Sequence, residues 1–128
     1  MFDTILRGGT VIDGTGHPAF PADVGITGGT ITAVGDLSAA AAGRTMDVAG
    51  RTVTPGFIDI HRHADAAAFR PDYGSLELRQ GLTTIVNGNC GLSAAPFGPD
   101  HAAAIRAYLR PITGDIPDTL PSASLAAY

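Results

Sequence analysis

Three side chains in this sequence of 128 residues have the chemistry to share a metal ion: His61, His63 and Cys90. The histidines stand one residue apart at the end of Pro55–His63 (PGFIDIHRH). The chain's single cysteine follows in Asn87–Gly91 (NGNCG). Imidazole nitrogen and thiolate sulfur are favoured donors for zinc. In an extended strand, residues i and i+2 project from one face, so the two imidazoles are expected side by side. Cys90 lies 27 residues beyond His63, close to one strand–helix–strand repeat of about 30 residues. With Thr83–Val86 as the next parallel strand, Cys90 emerges at the same end of the sheet as the histidines. A plainer reading stays open: two surface histidines, and a cysteine acting as a small buried hydrophobe. Asn89 and the glycines on either side of Cys90 weigh against the latter, since a backbone free of bulk suits close approach to an ion.

Two acids accompany the histidines. Asp59 lies two residues deeper in the strand than His61. It is read as structural, holding nearby backbone or orienting a ligand histidine through a hydrogen bond, with direct ligation as the alternative. Asp65, the acid nearest the pair, is read as a solvated loop acid, with an orienting group or a substrate contact as the alternatives. His101, at the start of a helix, and His17, in a turn, are read as exposed and not as ligands.

The elements that position these groups follow from pattern and punctuation. Phe57–His63 is predicted as a strand, with Phe57, Asp59, His61 and His63 on one face and Ile58 and Ile60 on the other, packed outward as in a parallel barrel strand. Asp72–Gln80 is expected as a short helix capped by Asp72 and stopped by Gly81. Leu82–Val86 is the next strand, and Asn87–Gly91 the loop at its C-terminal end. Asp100 is expected to cap a helix through Leu109 that buries Ile105, Tyr108 and Leu109 and stops at Pro111. Ile112–Tyr128 is rich in proline and serine and adds no completed element.

Upstream, the pattern is all β. Phe2–Leu6 and Thr10–Ile12 read as strands interrupted at Gly8–Gly9. Asp23–Thr27 and Thr30–Val34 flank Gly28–Gly29, a hairpin signal because glycine accepts φ > 0 at both turn positions. Leu37–Gly43 reads as a short helix or a loose connection. Thr45–Val48 and Arg51–Thr54 read as a strand pair around Ala49–Gly50. The glycine pairs are not phosphate loops, since no G-x-x-x-x-G-K-S/T order is present and no helix follows. Pro55–Gly56 marks a boundary, giving an N-terminal β unit over 1–54 and a second unit over 55–128.

A hydrophobic content of 45% with 16% charged residues places the chain among globular proteins. A net charge of −4 without any basic run argues against a nucleic-acid or acidic-membrane partner. One cysteine permits no internal disulfide. No apolar run approaches the 18 or so residues of a membrane span, and no signal peptide is evident, so a cytoplasmic location is expected.

PGFIDIHRH resembles the first-strand signature of the amidohydrolase superfamily. GLTTIVNGNCGLSAAP (Gly81–Pro96) is similar to its D-aminoacylase, or N-acyl-D-amino-acid deacylase, branch, as is Ile5–Asp36. The resemblance implies a small β-sandwich followed by a (β/α)8 metal-dependent hydrolase barrel. A barrel needs roughly 200–250 residues, so residues 55–128 are expected to be only its first strands and helices. It further implies one or two zinc ions held by His61, His63 and Cys90, with Cys90 in the bridging place that a carboxylated lysine fills in relatives. The substrate would be an N-acyl-D-amino acid, hydrolysed to a carboxylate and a D-amino acid. Further histidine ligands and the catalytic aspartate are expected downstream, so no catalytic acid lies within residues 1–128 and the chain alone is expected to be inactive. The β unit would lack its closing strands, leaving an unpaired edge open to association. The rival readings are a dihydroorotase- or hydantoinase-like hydrolase, a non-catalytic β-domain that pairs with a partner chain, and a redox or metal module built on Cys90.

Overall fold

The computed structural model describes residues 1–128, which divide into two compact units, Met1–Pro55 and Gly56–Tyr128. The first is built on one long strand, β1 (Phe2–Val11). Strand β2 (Phe20–Thr27) pairs antiparallel with it, and β3 (Thr30–Gly35) continues the antiparallel order beyond β2. On the other side of β1 lie β4 (Ala42–Asp47) and β5 (Thr52–Val53), both parallel to it. The result is a single five-stranded sheet with β3 at one edge.

The expected break at Gly8–Gly9 is a bulge instead. Leu6 faces Val24 and Gly9 faces Ala22, so Arg7 and Gly8 together oppose the single residue Asp23. Gly8 takes φ +76°, a conformation glycine adopts without steric cost. The buried Asp23 carboxylate accepts the Gly8 amide at 2.8 Å and the Leu37 amide at 3.2 Å. One strand therefore survives where two are predicted.

The predicted strand pair around Ala49–Gly50 is also overturned. β4 and β5 do not pair with each other; both lie along β1, with Val48 donating to Arg7 at 2.9 Å and Thr10 to Arg51 at 3.0 Å. The Val48–Arg51 turn sidesteps rather than reverses, and Ala49 fits against the bulge at Gly8. Leu37–Ala41 is a turn and a loose connection, with no helix. The Gly28–Gly29 hairpin forms, with both φ values positive. Ile5, Val11 and Val24 are buried in this unit. Val11, Ile12, Val24, Ile31, Val34, Val53 and Pro55 border an apolar hollow of about 280 Å³.

The second unit opens with β6 (Phe57–Asp59) and β7 (Leu82–Ile85), a parallel pair. Gly56 is required here, because a Cβ at this position would run into the Thr83 side chain. Between the strands lie a 3-10 turn at Ala67–Phe69 and a short helix, α1 (Ser75–Arg79). Asp72 does not cap α1. It pairs with Arg70 at 3.0 Å, and Gly74 holds the cap position. The α1 stop at Gly81 is as predicted, with φ +82°.

After β7, a loop leads to a 3-10 turn at Pro99–His101 and then α2 (Ala102–Thr113). Pro111 does not end α2; the helix runs two residues past it and stops at Gly114, φ +82°. Proline removes one intrahelical donor but does not prevent the turn that follows it. Leu109 is buried and Ile105 is partly so, whereas Tyr108 is 72% exposed and does not belong to the buried stripe. Leu109 joins Ala66, Ala94, Ile116 and Leu120 in the core of this unit. Ile58 and Ile60, expected under covering helices, are 60% and 75% exposed. No helix is long and apolar enough to cross a membrane.

Candidate metal centre

β6 and β7 run parallel, so the segments leaving their C-terminal ends emerge together. β6 is shorter than predicted: it ends at Asp59, and both histidines lie in the segment beyond it. The ladder continues irregularly, with Val86 donating to the Asp59 carbonyl at 2.8 Å and Arg62 to the Val86 carbonyl at 3.1 Å. The imidazoles of His61 and His63 are therefore not parallel neighbours on a pleat. Their ring centroids are 5.4 Å apart and the planes meet at 76°.

His61 Nε2 lies 3.3 Å from Cys90 Sγ, and one donor atom from each of His61, His63 and Cys90 falls within 4.8 Å of the others. Around a tetrahedral zinc ion, with Zn–N near 2.0 Å and Zn–S near 2.3 Å, neighbouring donors stand about 3.3–3.7 Å apart. The His61–Cys90 pair has that spacing, and the full set lies within 4.8 Å. The donor chemistry fits zinc, and His63 Nδ1 is buried without any hydrogen-bond partner. His61 and Cys90 are exposed and His63 is half-buried, so the cluster is open on one side.

The surrounding contacts hold the backbone of this cluster. Asp59 Oδ1 accepts the His61 amide at 3.1 Å, and Oδ2 pairs with Arg62 at 3.3 Å. The other arm of Arg62 reaches Glu77 on α1 at 2.7 Å. The residue between the two histidines is thus turned away from them and anchored. Asp59 touches no candidate ligand atom; its two oxygens are taken by the His61 amide and the Arg62 guanidinium.

Asp65 departs from the solvated reading. It is 1% exposed; Oδ1 accepts the Ala94 amide at 3.4 Å, while Oδ2 has no partner. Its backbone carbonyl accepts the Tyr128 hydroxyl at 3.3 Å. Cys90 sits at φ +58°, in the left-handed region, between Gly88 and Gly91 at +75° and +73°. His17 and His101 are exposed, away from any cluster.

Sequence reasoning missed Asn87 and Asn89. Asn87 Oδ1 accepts the Ala64 amide at 3.1 Å; Asn89 Nδ2 donates to the carbonyls of Arg62 at 3.2 Å and Val86 at 2.7 Å. Their signal was adjacency to Cys90 in NGNCG.

A hollow of about 300 Å³ lies beside His63, bordered by Arg62, Arg70, Tyr73 and Glu77. Its cations are spoken for: Arg62 by Asp59 and Glu77, Arg70 by Asp72. Burial, and then the nearby Glu77 charge, push the Tyr73 phenol above its ordinary range. This hollow therefore offers no unpaired positive charge to a carboxylate.

Comparison with known proteins matches residues 44–119 to the amidohydrolase family. A D-aminoacylase from Alcaligenes xylosoxydans xylosoxydans is 50% identical over 96 residues, covering 75% of this chain and 20% of the relative. A solved D-aminoacylase with a binuclear metal centre superposes with a TM-score of 0.72 at 55% identity, covering 76% of this chain and 20% of that one. An N-acyl-D-glutamate deacylase from Bordetella bronchiseptica, solved with zinc and a phosphonate inhibitor, gives 0.69 at 40% identity, covering 81% and 23%. The chain spans about a fifth of the length of these relatives. With three donor side chains gathered at the ends of two parallel strands, and a family profile matched across more than half its residues, the chain belongs to the amidohydrolase family.

Proposed function

We propose that this chain forms the zinc-binding opening of an enzyme that hydrolyses the amide bond of N-acyl-D-amino acids to a carboxylate and a D-amino acid. The observation that carries the reading is the triad of donors, His61, His63 and Cys90, gathered within 4.8 Å. The relatives are D-aminoacylases and N-acyl-D-glutamate deacylases, which supports the substrate class. A bound zinc ion would supply Lewis acidity, acidifying water and polarising an amide carbonyl.

The chain's own residues do the holding. His61 and His63 would donate nitrogen and Cys90 thiolate sulfur, and Asp59 fixes the His61 amide. Asp65 packs between the histidine segment and the Ser93–Ala95 segment. The open side of the cluster is where a substrate carbonyl would approach. In this reading residues 1–54 form one layer of a β-sandwich, whose second layer covers the apolar hollow, and residues 55–128 form the first strands and helices of a (β/α)8 barrel. The β3 and β4 edges of the sheet would be the places for pairing with further strands.

The acids nearest the cluster are placed for holding: Asp59 is engaged by the His61 amide and Arg62, and Asp65 is closed off from solvent, while the cations of the neighbouring hollow are already paired. The 128 residues alone are therefore expected to bind zinc without turnover. The test is zinc affinity, measured by competition with a chromophoric chelator, in the purified chain and in His61→Ala, His63→Ala and Cys90→Ser. Each substitution is expected to weaken binding tenfold or more. Equal affinity in all four proteins would overturn the metal assignment. Turnover of N-acetyl-D-amino acids by the 128-residue chain would overturn the claim that it is inactive alone.

A further inference from the structure

The histidine-bearing segment and the cysteine-bearing segment are joined by side chains as well as by any shared ion. Asn87 Oδ1 accepts the amide of Ala64, and Asn89 Nδ2 donates to the carbonyl of Arg62. Arg62 and Ala64 are the residues immediately before and after His63. The same Asn89 amide also donates to the Val86 carbonyl, where β7 ends. Asn89 is the neighbour of Cys90.

We propose that Asn87 and Asn89 are positioning residues that grip the peptide groups on both sides of His63 and so set its imidazole relative to Cys90. This rests on the metal reading of the cluster. Two hydrogen bonds bracketing one residue fix both of its flanking peptide planes, and hence its Cα–Cβ direction. Cys90 is held in the left-handed conformation by the same loop, so both donors are referred to one rigid segment. Outer contacts of this kind orient ligands, and their loss costs about 10–100-fold in metal affinity.

The two asparagines use opposite ends of the amide, which makes the proposal sharp. Asn87 acts as an acceptor, so Asn87→Asp keeps its bond. Asn89 acts as a donor to two carbonyls, so Asn89→Asp removes both bonds and sets a carboxylate against two oxygens. The same isosteric substitution is expected to have opposite results two residues apart.

The experiment is cobalt(II) titration of the full chain, following the thiolate charge-transfer band and the ligand-field bands. Wild type is expected to show both. Asn87→Asp should keep the cobalt affinity within about threefold and preserve the ligand-field spectrum. Asn87→Ala and Asn89→Asp should weaken binding about tenfold or more and alter that spectrum, which a general loss of stability would not do. If circular dichroism shows Asn89→Asp unfolded, Asn89→Ala, which lacks the repulsion, is expected to show the same loss of affinity and altered spectrum. Wild-type affinity and spectrum in the Asn89 variants, or equal losses in the two aspartate variants, would overturn the positioning role while leaving the metal centre standing. Absence of both bands in wild type would instead overturn the metal reading, and this inference with it.

Discussion

Cys90 is the one non-glycine residue with positive φ, and an L-residue with a Cβ pays for that conformation. Gly88 and Gly91, also at positive φ, take up the neighbouring turns of the loop without a penalty of their own. The residue types of the donors were readable in the sequence because histidine and cysteine carry their chemistry in their identity. Asp65 was not: the same residue type serves in a solvated loop or a closed core, and only tertiary packing, which here brings the Ala94 amide to its carboxylate, decides which. The roles of Asn87 and Asn89 were not legible for a related reason, since an asparagine's partners are set by tertiary approach even where its place beside a candidate ligand stands out. Burial likewise governs two phenols. Tyr128 is raised above the ordinary value of about 10 by burial and then by the Asp65 charge, and Tyr73 by burial and then by Glu77. The folded chain therefore holds these protons more tightly than the unfolded chain does. Stability from this source is complete below pH 10 and is lost as pH rises through the folded values. The urea midpoint is expected to fall between pH 9 and pH 11, and to fall less in Tyr128→Phe; an equal fall in both would remove Tyr128 from the account.

At the scale of elements, the bulge in β1 explains why the β unit was only partly legible. Period and glycine punctuation located the strands, and the Gly28–Gly29 hairpin was readable because its turn is local. The bulge depends on Asp23, a residue 15 positions away from Gly8, so no local pattern announces it. The parallel placement of β4 and β5 is equally non-local. Asp23 satisfies two backbone amides from separate segments while itself buried. Asp23→Ala leaves those donors facing an apolar side chain, at a cost of about 2 kcal/mol. Chemical denaturation measures this; an unchanged midpoint would show that Asp23 does not hold the bulge. Both strands flanking the candidate site are legible in the sequence, but the pattern over Phe57–His63 outruns β6, which ends four residues earlier at Asp59. Polar side chains alternating past a strand's end look like strand until the ladder is seen to stop.

The molecule as a whole has two modest cores and a large remaining apolar surface. Ile31 and Val34 stand 63% and 47% exposed at the hollow of the β unit, and Phe57, Ile58 and Ile60 are more than half exposed in the second. Exposed apolar side chains of this kind are accessible to a hydrophobic probe. The chain is expected to raise the fluorescence of the dye ANS, and Ile31→Lys to reduce that signal; no enhancement in wild type would mean these faces are covered in solution. The family and its β-rich opening could be read from residues because motifs survive in a segment, whereas the exposure of a strand face is set by what packs on it and leaves no local pattern. The three donors have a further property as a set. They fall within residues 61–90, and the two asparagines that grip the peptide groups around His63 lie inside the same stretch. Closing so short a loop has a small entropic cost. A ribosome that has released Ala94 has therefore already delivered every donor of this cluster. Were the centre to take zinc, capture of the ion would not have to wait for the residues that follow, and the metal would then be an early participant in folding instead of a late addition to a finished protein.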